Sequence, residues 1–209
     1  MKGRIVGTKE RREREKENLR QEILDAARQL FLKNGYENVS MRQIAEKIEY
    51  SPTTIYLYFQ DKAELFRSIC EETFGKLERE LAAIAKTYSD PVACLRKGAE
   101  IYIRFGLRYP HHYQLVFMTW HPHHAAKAKD FELTGDAGYR SFQYLLRVVA
   151  QGIEEGKFRR EDPVVLAQSV WTALHGVASL LIMKKEFPWV DQDELIRSAV
   201  ETVVRGVAA

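Results

Sequence analysis

Between Ser40 and Lys62 the chain reads SMRQIAEKIEYSPTTIYLYFQDK, and hydroxyl and phenol groups crowd its second half. If Ile55 and Phe59 face a core, then Thr53, Thr54, Tyr56, Leu57 and Tyr58 cannot all do so on one short helix. Small hydroxyls and phenols at a helix N-terminus suit base edges and phosphates in a DNA major groove, which admits one α-helix. The same exposure fits an ordinary helical hairpin with a tyrosine-rich surface, and spacing alone does not separate the two. A second group, HHYQLVFMTWHPHH over 111–124, gathers His111, His112, His121, His123 and His124. Its composition resembles metal-ligand material. No spacing in it matches a structural zinc site, no cysteine joins it, and Pro122 marks a loop, so a solvated loop and no metal is the expectation.

Catalytic chemistry finds little to use. There is no Gly-rich phosphate loop, no zincin helix and no nucleophile elbow. His175 has Trp171, Thr172, Ala178 and Ser179 at helical distance and no carboxylate among them. The chain is therefore not expected to be an enzyme, and no cofactor is called for.

The elements that must position the hydroxyl cluster are legible from their caps. Ser40 with Gln43 forms a capping box and starts a helix at Met41, whose apolar stripe is Ile44, Ala45 and Ile48. Ser51-Pro52 starts the next, a serine N-cap followed by a proline whose missing N–H does no harm in the first turn. Asp61 with Glu64 starts a third so soon that the middle helix has barely two turns. Upstream, Leu19, Ile23, Ala26, Ala27, Leu30 and Phe31 recur at helical spacing until Asn34-Gly35 ends the run. Tyr36 and Val39 close this small core.

Downstream the pattern stays helical. Leu65, Phe66, Ile69, Phe74, Leu77, Leu81 and Ile84 predict one helix over 61–88, too long to belong to the small module alone. Further helices are expected over 91–108, with Asp90 and Pro91 at its start, over 112–120, 139–155, 163–183 and 191–207. Residues 125–138 read as a loop or a frayed helix start. The 163–183 segment is apolar on nearly all faces, so a core must cover one side and a second subunit the other. No strand pattern appears, and the expected class is all-α.

With 209 residues, 45% of them apolar, the chain can form a small module plus one larger core. Residues 1–20 carry eight Lys/Arg against four Glu, a local +4 that leaves −1 for the rest of a chain of net +3. A basic arm of this kind suits phosphate or minor-groove contact through Lys2, Arg4, Lys9 and Arg11; its other reading is a solubilising helix of Arg–Glu pairs. Cys70 and Cys94 are read as packed or surface thiols. No apolar run is expected to span a membrane, no signal peptide is seen, and a cytoplasmic location is expected.

The run IAEKIEYSPTTIYLYFQDKAEL resembles the signature of the TetR family of bacterial transcription regulators. It matches at Ile44, Ala45, Ser51, Thr54, Tyr56, Phe59, Lys62 and Leu65, and departs where the family's turn glycine is Glu49 and its small residue is Thr53. A non-glycine in a left-handed turn is strained, so Glu49 either bears that strain or alters the turn. The resemblance implies a basic arm over 1–18, a three-helix helix-turn-helix domain over 19–66, and a larger helical effector-binding and dimerisation domain over 67–209. It implies DNA contact by Arg42, Ser51, Pro52, Thr53, Thr54, Tyr56, Leu57 and Tyr58, with Arg42 on a guanine and Lys62 on phosphate. Trp171, His175 and Gly176 resemble a Trp-x-x-x-His-Gly signature of one subclass.

Further implied are a homodimer built on the last two helices, a pseudo-palindromic double-stranded operator, and no membrane. A small-molecule effector, mainly apolar or aromatic, would act on a repressor. Its implied contacts are Tyr102, Phe105, Tyr113, Phe117, Trp120, Tyr139, Phe142, Trp171 and His175. A DNA-binding or architectural protein without a ligand is the alternative.

Overall fold

A computed structural model describes residues 8–118 and 137–209. Among these the chain forms nine helices: α1 Thr8–Asn34, α2 Met41–Lys47, α3 Pro52–Tyr56, α4 Lys62–Thr87, α5 Pro91–Arg108, α6 Pro110–Met118, α7 Ala137–Glu154, α8 Pro163–Met183 and α9 Gln192–Val207. The fold is all-α, with an N-terminal helix-turn-helix followed by a larger helical domain; among the described residues the sole extended pairing is the isolated bridge Phe158–Ala208. Its described residues fall into two units, 8–69 with 115–118, and 70–114 with 137–209. The sequence-based boundary after Phe66 falls within α4, whose residues through Ile69 belong to the first unit.

In the first unit the predicted caps form. Ser40 accepts from the Gln43 N–H while the Gln43 side chain accepts from the Ser40 N–H. The Ser51 hydroxyl accepts from the Thr54 N–H, with Pro52 in the first turn. Asp61 accepts from the Glu64 N–H at 2.6 Å, and Glu64 reaches back to the N–H of Gln60 rather than Asp61. The core joins Ile23, Leu24, Ile44, Ile55 and Phe59 to a ring cluster in which Phe31, Tyr36 and Phe66 stand 5.3–5.9 Å apart.

Two features of this unit were not fixed by the sequence pattern. First, α1 begins at Thr8, so most of the expected arm is helix; Lys9–Glu13 and Arg11–Glu15 ion pairs at i, i+4 support it. Lys2 and Arg4 lie outside the described residues. Second, Glu49 bears the strain itself, with φ at +61°. The N–H groups of Ile48 and Tyr50 both donate to the Ala45 carbonyl, which pins the turn around it. That conformation costs an L-residue about 1–2 kcal/mol.

In the second unit α5 packs against α7, α8 and α9. Gly98 lets the Tyr144 ring lie close, since a β-carbon there would stand 3.1 Å from it, and Gly106 does the same for Tyr113 at 3.0 Å. Arg96 pairs with Glu201, and Arg104 with Asp193 at 2.8 Å, tying α5 to α9. Arg140 on α7 bridges Glu71 and Glu78 of α4 at 2.8 Å each. Glu71 also accepts from the Ala137 N–H, capping α7 from another helix.

The all-round apolar segment became α8, and it holds a surprise. It is long and apolar enough, by length and composition, to cross a membrane, with mean hydropathy 1.5, which corrects the expectation that no run would be. Its polar residues Gln168, Ser169, Thr172, His175 and Ser179 are too few to lower the average, and none is charged at neutral pH. Only 39% of that stretch is buried within the chain.

Candidate nucleic-acid interface and effector core

The short α3 is pinned from one side only. Ile55 is fully buried and Phe59 follows it into the core, so Pro52, Thr53, Tyr56 and Leu57 stand out, with Tyr56 53% and Leu57 77% exposed. Ser51 and Thr54 are engaged with each other, their hydroxyls 2.9 Å apart, and Thr54 and Tyr58 are half-buried. On α2, Arg42 is exposed and its Nε donates to Glu46 at 2.9 Å. That pair is open to solvent, so it holds the guanidinium loosely. The surface thus offers a phenol, a hydroxyl, an apolar tip and a guanidinium: the means to read base edges.

Lys62, which the resemblance puts on phosphate, is also engaged within the chain. Its ammonium donates to the Tyr36 carbonyl at 2.8 Å and the Glu37 carbonyl at 3.4 Å, and lies 4.3 Å from the centre of the Tyr36 ring. It is a tie between α4 and the turn after α1, whatever else it touches.

The aromatic candidates of the second unit divide. Tyr102, Tyr113, Trp171 and His175 come together in one hydrogen-bonded chain. Trp171 Nε1 donates to Tyr102 Oη at 3.0 Å, the Tyr102 and Tyr113 hydroxyls are 3.0 Å apart, and Tyr113 Oη stands 2.6 Å from His175 Nδ1. An indole N–H can only donate, so Trp171 donates to Tyr102, whose hydroxyl also stands 3.4 Å from His175 Nδ1. Burial lowers the His175 pKa from its ordinary value, so the ring is neutral at pH 7. Burial likewise pushes the Tyr102 hydroxyl up to about 12, against the lowering effect of its bonds to Tyr113 and Trp171, and raises that of Tyr113 further. Both phenols therefore stay protonated donors. The Tyr113 and His175 rings stack 5.5 Å apart, and Phe142 lies 6.0 Å from Trp171, whose indole is 37% exposed.

The others sit elsewhere. Phe105 is buried against Tyr109 at 5.2 Å, Tyr139 is half-buried on α7, and Phe117 belongs to the first unit. Trp120, with His121, His123 and His124, lies outside the described residues. His112 stands 3.1 Å from the Thr73 hydroxyl through Nδ1, while His111 is exposed. Among the described residues no group of metal-ligating side chains comes together.

Sequence reasoning missed Tyr144 and Arg140. Tyr144 donates to the Cys94 carbonyl at 3.3 Å from within the core. Arg140 has its pKa raised by its bonds to Glu78 and then Glu71. In Glu71, burial works to raise the pKa, but the Ala137 N–H and Arg140 outweigh it and hold the carboxyl below its ordinary value. The one signal available was that Glu71 and Glu78 lie seven residues apart, on one face of α4.

Two family patterns match this chain. That of the bacterial regulatory proteins of the tetR family matches residues 23–69, and that of the tetracyclin repressor-like C-terminal domain matches residues 95–203. The HTH-type transcriptional regulator AcrR of Shigella flexneri is 37% identical over 86 residues, which are 40% of this chain and 39% of the relative's length. The HTH-type transcriptional repressor NicS of Pseudomonas putida is 26% identical over 152 residues, covering 71% of this chain and 69% of NicS. Among solved structures, a TetR family transcription regulator from Marinobacter aquaeolei VT8 superposes with a TM-score of 0.77 at 19% identity, over 94% of this chain and 98% of the other, a likeness of fold. These families are regulators and not enzymes.

Proposed function

Because the chain belongs to the TetR family of bacterial regulators, we propose that it is a cytoplasmic homodimeric repressor, released from a pseudo-palindromic operator by a small, mainly apolar or aromatic molecule. The observation that carries the DNA half is the outward face of α3, where Thr53, Tyr56 and Leu57 project from a helix whose other side is fully buried. Thr53 and Tyr56 hydrogen-bond base edges, Leu57 offers an apolar contact to a thymine methyl, and Arg42 pairs with a guanine. Ser51 and Thr54 hold the helix start, with Pro52 and Tyr58 flanking the contact. Lys62 touches phosphate only with whatever its two carbonyl bonds leave over.

For the effector half, the chain from Trp171 through Tyr102 and Tyr113 to His175 supplies polar handles set among apolar residues, the composition of a small-molecule site. Phe142 and the outer edge of Trp171 are its aromatic wall, with Tyr139 and Phe105 as further candidates in the same unit. Neutral His175 and two protonated phenols favour an uncharged ligand. Such a ligand acts only by preferring the conformation that no longer fits the operator. Residues of α4 belong to both units, which gives its shift a covalent route to the reader.

Selection from a random duplex library tests the DNA half. The enriched sites should be inverted repeats with half-site centres about one or two helical turns apart. Arg42→Ala should relax the preference at one base pair per half-site, a loss of about 1–3 kcal/mol of discrimination. Enrichment of unrepeated sites, or none, overturns the reading.

A further inference from the structure

Residues 9–18 of α1 are all exposed, so about three turns of helix stand clear of the core. Their charges are not mixed around the helix. Lys9, Arg12, Lys16 and Arg20 follow one another at i, i+3, i+7 and i+11, which puts them in one stripe along the axis. Glu10, Glu13 and Glu17 form a neighbouring stripe at the same spacing. Arg11 lies on the opposite side and is engaged with Glu15 at 3.0 Å. Lys9 stands 4.0 Å from Glu13 with 91% of its side chain exposed, a pairing that water easily replaces. Among the described residues, neither Arg12 nor Lys16 has a carboxylate within ion-pair distance.

The foot of the stripe is fixed in place. The Arg20 guanidinium lies over the Phe59 ring, 5.3 Å from its centre, three residues past the C-terminal end of α3. The stripe therefore starts beside the reader and runs about 16 Å from there to Lys9, at 1.5 Å per residue.

From this placement we infer that Lys9, Arg12 and Lys16 form a second DNA contact in each protomer, a phosphate rail on the backbone beside the half-site that α3 reads. This rests on the DNA-binding reading above and extends it. Cations at one-turn spacing on a single face can follow the charge of a strand backbone, while the acidic stripe keeps the remainder of the helix from binding it. The contact carries no base preference; it adds affinity and salt dependence.

The test uses the full chain and two 40-base-pair duplexes, one carrying the selected site and one of scrambled sequence, titrated across salt concentration. Lys9→Gln/Arg12→Gln/Lys16→Gln removes the rail with residues that keep helix propensity, and circular dichroism checks that helix content is unchanged. Arg11→Gln/Arg14→Gln removes charge from other faces of the same turns. Six lost phosphate contacts per dimer would flatten the slope of log K against log salt by about 5. The rail variant should therefore lose at least about half of that, with affinity falling by tenfold or more on both duplexes, while its choice between them stays as it was. The control variant should keep most of the slope. Trimming the flanks of the site should bring the unchanged chain down to the rail variant's affinity. Equal slopes for the rail and control variants overturn the rail while the reader stands, and would leave the stripe to an acidic protein surface. Failure of the unchanged chain to bind either duplex overturns the DNA reading itself.

Discussion

Gly152→Ala should be the most damaging single-methyl change in the second unit, costing about 3 kcal/mol or more. A β-carbon at 152 would stand 2.0 Å from Cδ2 and 2.3 Å from Cε2 of Phe158, well inside contact distance. The ring has nowhere to go. Phe158 is 1% exposed, and its N–H and that of Lys157 both donate to the Gly152 carbonyl at 2.9 Å. The end of the chain clamps the same turn: Arg159 N–H donates to Val207 and Ala209 N–H to Lys157. Overpacking a fixed site costs about 1–3 kcal/mol in ordinary cores, and this overlap lies at or above the upper end of that range. In a chain of this size the melting temperature should fall by roughly 6–12 °C. Phe158→Leu in the same chain should recover part of the loss, so the two changes couple by about 1 kcal/mol or more in a double-mutant cycle. Strict additivity, or a Gly152→Ala chain within about 1 kcal/mol of the parent, would contradict this packing.

Gly176→Lys should separate folding from pairing. The exposed part of α8 has a definite face: Val165, Ser169, Thr172 and Met183 follow helical spacing, with half-buried Gly176 in line with them and Leu180 beside them. Val165 is 50%, Leu180 49% and Met183 57% exposed, a row of apolar side chains that a lone chain leaves in water. At its middle, a β-carbon on Gly176 would meet nothing within 4 Å, so the chain itself does not need a glycine there. In the proposed homodimer a helix from a second copy would need it, because small residues let two backbones approach closely. Lysine is a better helix former than glycine by roughly 0.5–1 kcal/mol, so the monomer should fold at least as well. In an isologous pair each substitution occurs twice, and a loss of about 1.4 kcal/mol per copy weakens dimerisation about 100-fold. Sedimentation should then show folded monomers at micromolar concentration, with operator binding lost. An intact dimer of unchanged affinity would place the interface elsewhere. A charge at Leu181 or Val200, on α8 and α9, would test the fold instead, because these residues are 7% and 4% exposed within the chain.

Exposed Leu180 beside buried Leu181 marks a limit to what the sequence made legible. Local chemistry was readable: the Ser40–Gln43 and Ser51–Pro52 starts, the Gly35 stop and the bounds of α5 and α8 depend on residues within a turn of each other. Glu49 was readable as a problem, and the turn's hydrogen bonds decide that the residue bears the strain. Faces of an all-apolar helix were not readable, because no polar stripe in α8 tells Leu180 from Leu181. Partners distant in sequence were hidden too. Lys62 is tied to a carbonyl 26 residues away, and Arg140 to carboxylates 62 and 69 residues away. Of the effector candidates, Tyr102, Tyr113, Trp171 and His175 were found as aromatic or polar residues on helical faces, yet the bonds that order them needed three helices to be packed.

The most direct test of ligand-released repression is a linkage measurement: operator affinity and melting temperature for one protein preparation across a panel of small apolar and aromatic compounds. Native mass spectrometry of the purified protein offers the first candidates for the panel. At least one compound class should raise the melting temperature and weaken operator binding together. Saturating operator should weaken that compound's binding by the same factor, since the coupling is reciprocal. A panel in which no compound moves both quantities would contradict the account.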